Sequence, residues 1–168
     1  AASLLGGERK AVLLGNAAAH HEKAASLLAL ANFIAEHTGA RVGYLTEAAN
    51  TVGAQLVGAV PAQDGLNAAQ MLGGALKAAL LLNVEAQDTA VGLAGLQNAG
   101  MVVTLSAFKT NLDVSDVLLP IAPFSETSGS FVNAEGRLQS FHAVVRPLGE
   151  TRPGWKVLRV LGNLMGLS

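Results

Sequence analysis

Apolar runs alternate along this chain with segments whose apolar residues recur at helical spacing, the pattern of parallel strands covered by helices. Lys10–Leu14 reads as a short buried strand that stops at Gly15-Asn16. From His21 to His37, Ala24, Leu27, Leu28, Ala31, Ile34 and Ala35 fall on one helical face, and Gly39 follows as a C-terminal cap. Arg41–Leu45 is a second strand. Thr46–Leu66, with three glycines and Pro61, predicts a loop with one helical turn near Gly53–Val57. Asn67 then suits the N-cap of a helix over Asn67–Ala75.

Leu76–Leu82 supplies a third strand, Asp88–Asn98 a further helix, Met101–Leu105 a fourth strand and Val117–Leu119 a fifth, ended by Pro120. Ser125–Gln139 is rich in small polar residues and predicts an ordered loop around one extended piece, Ser130–Asn133. Gly154–Met165 closes the chain as a helix with Val157, Val160, Leu161 and Leu164 on one face, and Pro153 suits its first turn. The fold class expected is α/β: a three-layer, doubly wound, mostly parallel sheet of Rossmann-like type in a single domain over residues 1–168. Residues 146–168 form its C-terminal extension and helix. The long connection from Thr46 to Ala75 leaves both the dinucleotide-fold and the flavodoxin-like strand orders open.

Composition sharpens this picture. Over 168 residues, 51% are hydrophobic and 14% charged, far from the balance of a disordered chain. A domain of that size buries roughly 70% of its unfolded surface. So apolar a chain implies little free surface, as when a domain packs against neighbours. A formal charge of −1 rules out a strongly electropositive footprint, so nucleic acid is not an expected partner. Cysteine is absent, so no disulfide, zinc–thiolate site or iron–sulfur cluster can be built from these residues alone. The uncharged window Thr89–Phe108 is long enough to span a membrane. Gly92, Gly95, Gln97, Asn98 and Gly100 divide it into helix and strand, and a soluble domain without membrane insertion is expected. The start at Ala1, without methionine, reads as a piece of a longer polypeptide.

Candidate chemistry is thin. Gly15 and Asn16 occupy the first strand-to-helix turn, where doubly wound sheets bind phosphates. One glycine falls short of a dinucleotide fingerprint or a phosphate-binding loop. His20 and His21 point to different sides and are badly placed to share a metal. Asp113 and Asp116 could work as an acid–base pair, but local turn-making explains them better. Ser125, Ser128 and Ser130 lie near Glu126 and His142 without the Gly-x-Ser-x-Gly elbow of a hydrolase. Glu126, Asn133, Glu135 and Arg137, interleaved with Gly129 and Gly136, make the densest polar cluster. It reads as a loop stitched by side-chain-to-backbone hydrogen bonds and a Glu–Arg pair, with contact to a cofactor or neighbouring domain as the other reading. Catalytic and metal residues are therefore none. The cofactor-binding candidates are Gly15, Asn16, Glu126, Asn133, Glu135 and Arg137.

That cluster also carries a resemblance. Molybdopterin oxidoreductases, such as formate dehydrogenases and dimethyl sulfoxide reductases, show a strand ending in Ala-Asp-Val-Val-Leu-Pro. A Glu-x-x-Gly-Thr-x-x-Asn-x-Glu-Gly/Arg-Arg-x-Gln stretch follows it. The matching positions are Ser115 to Pro120, then Glu126, Gly129, Ser130, Asn133, Glu135, Gly136, Arg137 and Gln139. Asn50-x-x-Gly53 and Ala79–Leu82 agree more loosely. Leu119–Gly129 with Asn133–Arg137, and the ending Pro147–Arg159 with Trp155 and Lys156 in matching positions, resemble the large iron–sulfur subunit of respiratory NADH–quinone oxidoreductase.

This resemblance implies a structural domain that keeps the molybdopterin-oxidoreductase fold without catalysis of its own. It implies iron–sulfur clusters in a cysteine-rich N-terminal part outside this chain, carrying electrons from NADH toward quinone. The partners implied are other domains of the same polypeptide and other subunits of the respiratory complex, on the cytoplasmic side of a bacterial inner membrane. Any molybdenum ligand would lie upstream of the matching region. The alternatives are a cofactor-holding domain of an active molybdopterin oxidoreductase and an independent nucleotide-binding module.

Overall fold

In the computed structural model residues 2–74, 76–89 and 91–167 are described, and local sequence accounts for most of the elements they form. Ala75, at the expected end of one helix, and Ala90, inside another, lie outside the described residues, as do Ala1 and Ser168. The chain divides into two compact units: Ala1–Val60 with Ser130–Gln139, and Pro61–Gly129 with Ser140–Ser168.

The first unit opens with a short helix, α1 (Ala2–Leu5), and strand β1 (Ala11–Leu14). A single turn α2 (Asn16–Ala19) precedes the long helix α3 (Ala24–Thr38), so the helix expected from His21 begins three residues later. Gly39 ends it as expected. Its φ of +71° is left-handed, and its N–H reaches the Ala35 carbonyl at 2.8 Å. Strand β2 (Arg41–Tyr44) runs parallel to β1, with Ala11 opposite Arg41 and Leu14 opposite Tyr44. Helix α3 packs on both strands and buries Ala31. β1 is not the buried strand expected from its apolar run. Its exposure alternates, and Leu13 is 57% exposed. The turn expected near Gly53–Val57 is α4 (Thr51–Leu56).

In the second unit, Asn67 caps α5 (Ala68–Gly73) in a reciprocal box with Gln70, each side chain bonding the other's backbone N–H at 2.9 Å. Strands β3 (Ala79–Leu82), β4 (Val102–Ser106) and β5 (Val117–Pro120) form a parallel sheet in the order β3-β4-β5. Leu81 pairs with Thr104, and Thr104 with Leu118. Central β4 is the most deeply buried strand. Thr104 is wholly enclosed (0% exposed), and its hydroxyl meets that of Ser115 at 2.7 Å, meeting the requirement that buried polar groups be paired. Leu72, Leu93, Leu96, Val102 and Val114 form the core on one side, joined by Ala79 and Leu81. Leu80, on the other side of β3, is 44% exposed.

Two expectations fail here for reasons the backbone makes plain. Asp88–Asn98 is not a helix but two 3₁₀ turns, Ala86–Asp88 and Ala94–Asn98. Gly92 between them sits at φ +66°, which breaks helical continuation. Nor is Ser125–Gln139 a loop around one extended piece. After a 3₁₀ turn at Phe124–Glu126, β6 (Gly129–Val132) and β7 (Leu138–Phe141) pair as a hairpin. Its tip belongs to the first unit and its base to the second. Helix α6 (Gly154–Leu164) ends the chain, with Pro153 at its N-cap, one position before the first turn.

The architecture is mixed α/β with parallel sheets. The first unit carries a two-stranded parallel sheet and the second a three-stranded one. The long connection after β2 is where the two units divide, at Val60–Pro61.

Gly95 fixes how the second 3₁₀ turn meets α5. A Cβ there would lie 1.7 Å from the Leu72 carbonyl oxygen, a backbone atom that cannot rotate aside. Gly95→Ala is expected to lower stability by roughly 1–3 kcal/mol, the range for overpacking, read as a lower urea midpoint. An unchanged midpoint would show that the two backbones do not approach this closely.

Candidate functional site

Each parallel sheet carries a crevice at the carboxyl ends of its strands, the position where α/β sheets bind ligands. In the first unit it is about 660 Å³, bordered by Asn16, His20, Tyr44, Glu47, Thr51 and Gln55. In the second it is about 730 Å³, bordered by Asn83, Glu85, Asp88, Ser106, Phe108 and Phe124. Ionisable groups decide what either could hold. Glu47 and His20 face each other at 2.7 Å in the first, both exposed. In the second, the Glu85 N–H donates to Asp88 Oδ2 at 2.7 Å, and Gln87 Nε2 donates to Glu85. Neither lining includes a lysine or arginine.

A pyrophosphate-bearing pterin needs cations or converging N–H donors around its phosphates. Gly15 offers no such cradle. It has ordinary extended geometry at the start of α2, and a Cβ there would meet nothing within 4 Å. On this donor set, the residues present do not fit that group.

The remaining candidates separate by unit. Glu126 lies in the second unit, whereas Asn133, Glu135 and Arg137 lie in the first. Half-buried Glu126 accepts the Leu148 N–H at 3.0 Å, and Ser128 Oγ accepts the Ala143 N–H at 3.0 Å. The Val144 N–H donates to the Ser125 carbonyl at 2.8 Å. These bonds pin the segment before α6 against residues 125–128. Ser128 therefore serves as a backbone partner through its hydroxyl, and Ser125 through its carbonyl.

Asn133 begins the hairpin turn. Its side-chain oxygen accepts the N–H groups of Glu135 (3.0 Å) and Arg137 (2.9 Å), while its carbonyl accepts the Gly136 N–H at 2.9 Å. Gly136, at φ +80°, supplies the left-handed residue that follows a type I turn in a bulged hairpin. Arg137 is exposed and makes no ion pair among the described residues. The expected Glu–Arg pair is thus absent there, because the turn backbone is already held by Asn133.

Asn50, 82 positions away from Val132 in sequence, completes this arrangement. Its Oδ1 accepts the Val132 N–H at 2.9 Å. Gly53 makes room for it: a Cβ there would lie 2.0 Å from that same oxygen. The Asn50-x-x-Gly53 spacing is thereby a backbone anchor for the hairpin tip. It was visible in the sequence, but its partner was not.

The acids and histidines resolve in the same way. The Val102 N–H donates to Asp116 Oδ2 at 2.7 Å, and the Asp116 N–H returns a bond to the Val102 carbonyl at 2.9 Å. Asp116 thus locks β4 to β5. Asn111, at φ +56°, donates its amide to the Val84 carbonyl at 2.7 Å. His21 Nδ1 accepts the Lys23 N–H at 3.0 Å, away from the His20–Glu47 pair. No group of three or more metal-ligating side chains occurs among the described residues. No helix among them is long and apolar enough to cross a membrane.

A fold of parallel strands with this glycine-hinged polar hairpin defines a class. The molybdopterin oxidoreductase family matches residues 2–164, and the chain belongs to that family. Among relatives, a provisionally named formate dehydrogenase of Staphylococcus aureus (bovine strain RF122) is 35% identical over 76 residues. That match covers 45% of this chain and 8% of the relative. A second, of strain USA300, is 38% identical over 54 residues, covering 32% of this chain and 6% of the relative. The chain thus spans less than a tenth of the length of these relatives. Both carry formate dehydrogenase names, not that of a respiratory NADH–quinone oxidoreductase.

Two substitutions test the hairpin. Asn50→Ala orphans the Val132 N–H and should cost about 1–3 kcal/mol, with faster hydrogen exchange at Val132; unaltered exchange would remove Asn50 from this role. Gly136→Ala meets open space, so its cost should be purely conformational, roughly 1–2 kcal/mol, seen as a drop in melting temperature.

Proposed function

We propose that this chain is a structural domain of the large iron–sulfur subunit of NADH–quinone oxidoreductase, with no chemistry of its own. The observation that carries the reading is the use made of the signature polar residues. Asn133 and Glu126 direct their side-chain oxygens at backbone N–H groups of their own units, and so shape the fold. Neither borders a strand-end crevice. The carboxylates at the strand ends, Glu47, Glu85 and Asp88, favour the same reading, since they would repel a pyrophosphate. The sequence features that pick out this branch are Leu119–Gly129 and the ending Pro147–Arg159.

On this reading, electron transfer belongs to iron–sulfur clusters carried elsewhere in the polypeptide. The half-exposed apolar residues Leu13, Leu80 and Leu82 pack against other domains or subunits of a membrane-associated complex on the cytoplasmic face. The two parallel sheets would be parts of a three-layer, doubly wound domain.

A second reading has one observation in its favour, the formate dehydrogenase names of the Staphylococcus relatives. Under it, the chain is part of the cofactor-holding portion of an active molybdopterin enzyme. Metal and pterin analysis of the full-length protein separates the two. Iron without stoichiometric molybdenum or pterin is the expected result, and one pterin cofactor per polypeptide would establish the second reading instead.

A further inference from the structure

Beyond the end of β5, where Ile121 bridges Arg152, the second unit concentrates positive charge that its own carboxylates leave largely uncompensated. A crevice of about 410 Å³, bordered by Arg146, Arg152, Lys156 and Trp155, lies where the segment following β7 meets the first turn of α6. One carboxylate, that of Glu126, also borders it, but accepts the Leu148 N–H. Arg152 stands 3.6 Å from the exposed Glu150 and donates to the Glu150 and Thr151 carbonyls. Arg146, Lys156 and Arg159 form no ion pair among the described residues. In a chain of formal charge −1, such clustering gives this surface a sign opposite to that of the whole.

Trp155 stands among these cations. Its indole N–H donates to the Ser128 carbonyl at 3.2 Å, which fixes the ring, yet 47% of the residue remains exposed. Lys156 Nζ lies 5.3 Å and the Arg159 guanidinium 5.9 Å from the ring centroid, within cation–π range. A rigid aromatic wall ringed by long cationic side chains suits a carboxylate on a peptide. The guanidinium forks can take its two oxygens, and the ring can take the methylenes behind them.

We propose that this crevice docks an aspartate- or glutamate-bearing segment of a partner protein. A peptide fits better than a lipid surface because the site is concave. Beside it the first two turns of α6 expose Lys156 and Arg159, and the exposed apolar residues of the helix, Val160 and Leu164, lie further along it. Exposed Leu164 and Met165 come more than two turns after Trp155. The inference rests on side-chain placement alone and holds whichever branch of the family the protein serves.

Trp155 emission is read as the difference between the full-length protein and its Trp155→Phe variant, which serves as the blank. The experiment titrates the full-length protein with a capped hexaglutamate peptide, and in parallel with hexalysine, inorganic phosphate and phosphatidylserine–phosphatidylcholine vesicles. A saturable change with hexaglutamate alone is expected, weakened by added salt. Arg146→Gln and Lys156→Gln should each weaken it roughly fivefold, as rim charges do, with far-UV circular dichroism unchanged. The proposal fails if hexaglutamate gives no saturable change. It also fails if phosphate matches the peptide in affinity, or if vesicles alter the emission and the peptide does not. The salt and hexalysine arms need no substitution, so the result stands even where a variant misfolds.

Discussion

The hydrogen bond from the Val132 N–H to Asn50 Oδ1 joins two stretches of chain that the first unit must hold together. That unit is discontinuous, Ala1–Val60 plus Ser130–Gln139, and bringing distant segments together costs chain entropy before any contact returns it. A single oriented carboxamide sets both the position and the register of the incoming strand, because an N–H bond has direction where apolar contact does not. Two conditions follow. Gly53 must lack a side chain, since Asn50 occupies the space where one would be. The tip must also be preformed, and the Asn133 carboxamide does this through its bonds to Glu135 and Arg137. Strand, turn and anchor thus depend on two asparagines and two glycines.

The second unit follows the same logic with different groups. Asp116 closes β4 onto β5 through paired bonds with Val102, and Thr104 with Ser115 satisfies the polar atoms at the centre of the sheet. Around them the core is aliphatic and close, so close that Gly95 and Leu72 meet backbone to backbone. Polar residues that invite a catalytic reading, Asp116 and Ser128, here bind backbone N–H groups of their own unit. A family signature can be long and specific because the turn it builds tolerates few residues, with no chemistry required.

How far the sequence disclosed this depended on the range of each interaction. Strand positions were legible because short apolar runs bounded by glycine or proline have few alternatives. The caps at Asn67 and Gly39 were legible because they act within one helical turn. The 3₁₀ turns after β3 were not, since Gly92 and Gly95 fell inside the helix expected over Asp88–Asn98. Each serves a distinct purpose, one a left-handed bend and the other a close backbone approach. Strand β7 was missed because Leu138-Gln-Ser-Phe141 has no β-branched residue. The better signal was the turn before it, Asn at the first position and Gly136 at the fourth. Burial was over-read, as an apolar run shows that a strand can be covered but not that this chain covers it. Leu13 and Leu80 are the consequence. At the candidate site, sequence found the residues and not their partners, because Asn50 to Val132 and Glu126 to Leu148 join positions far apart in the chain.

Charge placement gives the arrangement its functional meaning. A parallel sheet offers its carboxyl ends to anions only when cations or free N–H donors stand there. In this chain Glu47, Glu85 and Asp88 occupy those ends, while Arg146, Arg152 and Lys156 collect beside the terminal helix. The strand-end crevices are therefore electrostatically opposed to the ligand their position suggests, whereas the cationic surface lies beyond the end of β5, where Ile121 bridges Arg152. A domain whose work is to be held in an assembly needs oriented charge at its contacts more than at its strand ends, because surface charge sets partner choice and register. On the proposed reading, the charge of this domain serves its contacts with other parts of the polypeptide and not a phosphate at its strand ends.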